Sequence, residues 1–68
     1  MSEWREVKES QVRNEDVQSR IRVDFIKLKT GYLQHEPYKT ILTNMSSGCT
    51  GCRIGAYGRA LKILKEND

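Results

Sequence analysis

The sequence predicts an all-α fold, a small domain of three helices over about residues 14–30, 37–47 and 52–66, with room for a short further helix near the N-terminus. Two runs of apolar residues carry the helical period: Val17, Ile21, Phe25 and Leu28 at steps of four, four and three, and Ile54, Tyr57, Leu61 and Leu64 at three, four and three. Residues suited to helix ends also stand where these runs begin and stop. The only proline, Pro37, falls between them.

Residues 1–12 read as a charged leader ahead of a single domain at 13–68. Ser2 and Glu3 offer caps for a short helix, and Trp4 and Val7 lie one turn apart, but Lys8–Gln11 give little to bury. In the first main helix Asn14 is the N-cap, and Glu15 and Asp16 follow where the helix dipole favours acids. Lys27, Lys29 and Gly31 supply the matching stop. The alternative is an α+β fold with a strand or hairpin at 20–34, because Arg20–Phe25 alternates and Ile26–Lys29 alternates again after a one-residue slip. The helix is preferred because both of its ends carry cap chemistry.

Glu36 precedes Pro37 at a position suited to N1, and Tyr38, Ile41, Leu42 and Met45 then share a face until Ser46, Ser47 and Gly48. On the last helix, at about 100° per residue, Ile54, Tyr57, Gly58, Leu61 and Leu64 fall together with Ala60, Ala56 and Ile63 beside them. Arg59, Lys62, Gly55 and Glu66 keep a narrow polar strip. So wide an apolar arc predicts a second covered flank of Ala56, Ala60, Ile63 and Leu64, facing another copy of the chain in a homodimer or a host protein. The alternative is that short side chains leave the arc partly exposed.

With 68 residues, 37% of them hydrophobic, the chain makes one domain with a narrow stability margin. Twelve Lys and Arg against nine Asp and Glu give +3, a balance that suits an anionic partner. No apolar run resembles a secretory signal or spans a bilayer, which points to the cytoplasm, to reduced thiols and to no membrane partner. An enzyme is not expected. The chain has little interior from which to build a pocket, His35 lacks an orienting third group beside Cys49 or Cys52, and Glu15, Asp16 and Asp24 read as cap and surface charges.

Cys49 and Cys52 stand two residues apart between glycines, in Gly48-Cys49-Thr50-Gly51-Cys52. The leading expectation is a tight turn with no cofactor. Zinc wants four ligands, and one chain offers two thiols and His35, so the metal alternative is a zinc shared between the Cys49 and Cys52 pairs of two chains. The redox alternative rests on the helix dipole and Arg53, which would lower a thiol pKa, although no βαβ frame surrounds the motif.

Two helices joined by a Gly-containing turn also outline a helix-turn-helix. Residues 50–64, TGCRIGAYGRALKIL, resemble the turn and recognition helix of small bacterial and phage DNA-binding regulators. That resemblance implies a transcriptional or replication regulator on double-stranded DNA, with Arg53, Ala56 and Arg59 near base edges and Lys62 and Lys65 on phosphates. Thr50 departs from a position usually apolar in that family, Gly55 and Gly58 soften the helix, and no strands follow to form a wing. The competing expectation is an interaction module, an adaptor or inhibitor of phage or mobile-element type, that holds its target with Ala56, Ala60, Ile63 and Leu64.

Overall fold

The computed structural model describes residues 4–67, and these form two 3₁₀ turns, Trp4–Glu6 and Glu9–Arg13, followed by helices α1 (Glu15–Leu28), α2 (Tyr38–Met45) and α3 (Thr50–Glu66). The fold is all-α, and no strand occurs among the described residues. The capping read for Ser2 and Glu3 lies outside the described residues.

Helix α1 starts where its cap chemistry places it: the Asn14 side-chain oxygen accepts from the backbone N–H of Asp16 at 2.8 Å and of Val17 at 3.3 Å. It ends at Leu28, and Gly31 follows at φ +92, a backbone region that a residue with a Cβ enters only under strain. The strand alternative fails on one residue. Alternation would bury Ile21, Val23 and Phe25 together, whereas Ile21 and Phe25 are 0% exposed and Val23 is 50% exposed, as a rotation of 100° per residue requires.

Helix α2 opens on Pro37, which follows a cis peptide bond and stands at the N-cap, not at N1. Proline has no side-chain acceptor, so Glu36 does the capping: its carboxylate accepts from the Thr40 hydroxyl at 2.6 Å and the Thr40 N–H at 3.0 Å. The Thr40 hydroxyl first, then the Thr40 N–H, hold the Glu36 carboxyl below the ordinary carboxylate range. A lowered folded-state pKa adds stability that is present at neutral pH and is lost as pH falls through that pKa. Wild type should therefore exceed Glu36→Gln in thermal stability at neutral pH, and the gap should close as pH drops below about 4. A gap that persists into strong acid would contradict the cap.

Helix α3 begins two residues before the expected start, because Cys49 serves as its N-cap: the sulfur accepts from the Cys52 N–H at 3.2 Å, which lets Thr50 and Gly51 enter the first turn. The connection from α2 is accordingly Ser46–Cys49.

Helix α3 is the centre of the fold, in contact with α1, α2 and both 3₁₀ turns. Its Ala56, Tyr57, Ala60, Leu61 and Leu64 are buried against Ile21 and Phe25 of α1, Ile41 and Met45 of α2, and Trp4, Val7 and Val12. The last three correct the sequence expectation, since residues assigned to a charged leader are part of the core. Hydrogen bonds tie them down. The Trp4 indole N–H donates to Asp24 at 2.8 Å, and the Gln18 side chain donates to the Val12 carbonyl at 2.7 Å. The Arg20 guanidinium lies 5.3 Å from the Trp4 ring centroid. Asp24, expected as a surface charge, is thus a structural acceptor.

The same packing corrects the expected second flank of α3. Ala56, Ala60 and Leu64 are buried within the single chain and Ile63 is half-buried, because α1, α2 and the N-terminal segment together supply the apolar cover that the reading from sequence sought in another molecule. No helix among the described residues is long and apolar enough to cross a membrane.

Candidate nucleic-acid interface and the adjoining thiol pair

Burying one side of α3 leaves a single strip in solvent: Gly51, Cys52, Gly55, Arg59, Lys62 and Glu66, at helical steps of one, three, four, three and four. This is the polar strip read from the period, extended by one turn at its N-terminal end. Gly51, Cys52 and Gly55 occupy its first half, and the cations Arg59 and Lys62, followed by the acid Glu66, its second. A Cβ built on Gly51, Gly55 or Gly58 would meet nothing within 4 Å, so none of these glycines is required by packing inside the chain.

Beside the strip, a cleft of about 540 Å³ separates α3 from the second 3₁₀ turn, with Arg13 on one wall and Gly55, Gly58, Arg59 and Lys62 on the other. Glu9 is the acid on its rim. Three exposed cations, Arg13, Arg59 and Lys62, therefore share one side of the molecule. Arg13 was not singled out from the sequence. It lies 46 residues before Arg59, and only the packing of the N-terminal segment on α3 joins them.

The expected DNA-contacting residues divide into two groups. Arg59 and Lys62 are exposed on the strip, and Lys65 is half-buried on its flank. Ala56 points into the core and cannot approach a base edge. Arg53 is half-buried and turned back on the α2–α3 connection, where its guanidinium donates to the Ser47 carbonyl at 3.0 Å, so its observed role is to hold the corner. The expected protein-binding set fares likewise: of Ala56, Ala60, Ile63 and Leu64, only Ile63 keeps partial access to solvent.

At the head of α3 both thiols are exposed and reduced. They are unequal. The Cys49 thiol is held below its ordinary range first by a hydrogen bond from the Cys52 thiol, then by the N–H groups of Cys52 and Gly51 and the Arg53 charge. The Cys52 thiol is pushed up, first by that same contact with Cys49 and then by burial. Among the described residues no group of three or more His, Cys, Asp or Glu gathers to hold a metal, and His35 is not brought to the thiol pair. Within one chain the arrangement is a dithiol, and a zinc on four thiolates would take two chains.

Set against protein-family models, curated proteins and solved structures, the chain matches none.

Proposed function

We propose that this chain is a small DNA-binding regulator that docks α3 in the major groove, with the strip from Gly51 to Lys62 facing the duplex. The observation that carries it is that this exposed strip holds glycines and cations and no large apolar side chain, with Arg13 beside it. A glycine face brings the helix backbone close to its partner, and the cations neutralise phosphate. Arg59 is the residue placed to read a base edge, while Lys62 and Arg13, with Lys65 at the flank, serve phosphates. Arg53 acts indirectly, through the corner that presents α3. The adaptor alternative lacks this support, since most of its apolar contact set is inside the core.

Salt tests the proposal. With Arg13, Lys62 and Lys65 on phosphates, the plot of log affinity against log salt should have a slope of about −2.7, a loss of roughly 40-fold between about 50 and 200 mM. Arg59→Ala should weaken binding on the order of 10- to 100-fold, while Lys62→Ala should flatten the slope by about one. Ile63→Ala, which removes no charge, should leave the slope unchanged. Binding to duplex that does not vary across this salt range would refute the proposal.

A further inference from the structure

We infer that Cys49 and Cys52 form a redox-active dithiol, in which Cys49 attacks a low-molecular-weight disulfide and Cys52 resolves the product into a Cys49–Cys52 disulfide. This inference stands apart from DNA binding, and neither requires the other.

The geometry has three parts. Both sulfurs are in solvent, so an incoming disulfide reaches them without any opening of the fold. They are also tied together, because the Cys49 sulfur accepts the backbone N–H of Cys52 at 3.2 Å. And they sit at the N-cap and N3 of a 17-residue helix, three positions apart, the spacing that sets two side chains beside one another. Neither thiol is part of the core, so nothing in the packing requires cysteine at either position.

The difference between the two sulfurs sets the order of events. The Cys49 sulfur receives the N–H of Cys52 at 3.2 Å, and the helix dipole and the Arg53 charge favour negative charge on it. As a thiolate it attacks one sulfur of a disulfide RSSR, forming a Cys49–S–S–R bond, breaking the S–S bond of RSSR and releasing RS⁻, which takes up a proton from water. The Cys52 thiol, losing its proton to solvent, then attacks the Cys49 sulfur and expels the second RS⁻. The two cysteines are oxidised by two electrons and RSSR is reduced to two RSH. Stabilising the Cys49 thiolate favours the reduced form, which makes the disulfide readily reversible.

Glutathione disulfide serves as the probe, with the full chain and its Cys49→Ser and Cys52→Ser variants followed by intact mass. Serine keeps a capping acceptor at position 49 and position 52 is exposed, so both variants should retain the helical circular dichroism of wild type. Wild type should become lighter by two hydrogen atoms and carry no adduct. Cys52→Ser should accumulate one glutathione on Cys49. Cys49→Ser should react about tenfold more slowly than Cys52→Ser at neutral pH. Equal rates for the two variants, a lasting glutathione adduct on wild type, or disulfide-linked dimers as the main product would each overturn the inference.

Discussion

Trp4→Ala should leave much of the chain unfolded at 37 °C. Removing a buried Trp side chain costs about 3–5 kcal/mol, and a domain of this length holds roughly 3–10 kcal/mol in all. Trp4 is buried against α3 and α1, its indole N–H is bonded to Asp24, and Arg20 stacks on its ring. The substitution thus opens a cavity and strips the Asp24 carboxylate of its donor together. Urea denaturation followed by circular dichroism measures the loss as a lower midpoint with little change in slope. Trp4→Phe separates the two contributions, because it keeps most of the apolar volume and removes only the N–H, at about 1 kcal/mol. If Trp4→Ala cost less than about 1 kcal/mol, the N-terminal segment would be an ornament on a core complete without it.

The double variant Gly55→Ala/Gly58→Ala should move stability the other way. Each glycine lies inside α3 with open space where a Cβ would stand. Alanine there should stabilise by about 0.5–1 kcal/mol per site, through the lower entropy of the unfolded chain and better helix propensity. For a domain of this size the pair should raise the melting temperature by roughly 5–15 °C. The same methyl groups stand on or beside the strip proposed to face DNA, so affinity for duplex should fall while stability rises. A stabilised variant that binds as well as wild type would remove the glycines from the interface. Gly31→Ala is the control with opposite sign. Gly31 has room for a Cβ but sits at φ +92, so the substitution should destabilise.

The fate of particular residues marks how much was legible in advance. Ile21 and Phe25 were assigned to one helical face by spacing alone, and both are completely buried. Asn14 was assigned as a cap from its type and the acids behind it, and it caps. Such signals are local, carried by residues within about two turns of each other. Trp4 gave no comparable signal. Its partner Asp24 is 20 residues away, and the polar run at Lys8–Gln11 hid the fact that Val7 and Val12 both turn inward. The start of α3 moved for a similar reason, since a cysteine is not a residue one reads as a cap, yet its sulfur accepts the Cys52 N–H. In the candidate interface, Arg59 and Lys62 were legible from the period of α3, whereas Arg13 was not, and Arg53 was read as reaching outward when it holds the corner.

What the sequence by itself determined is the set of helices, the apolar face of each and the polar strip along the last one, because period and cap chemistry act within a few residues. What only the tertiary structure decided is which molecule covers the wide apolar face of α3. The answer, the chain's own α1 and α2 together with its N-terminal segment, depends on contacts between segments far apart in sequence, and no local pattern encodes which distant surface meets which. That one fact withdrew Ala56, Ala60 and Leu64 from any interface and placed Arg13 beside Arg59.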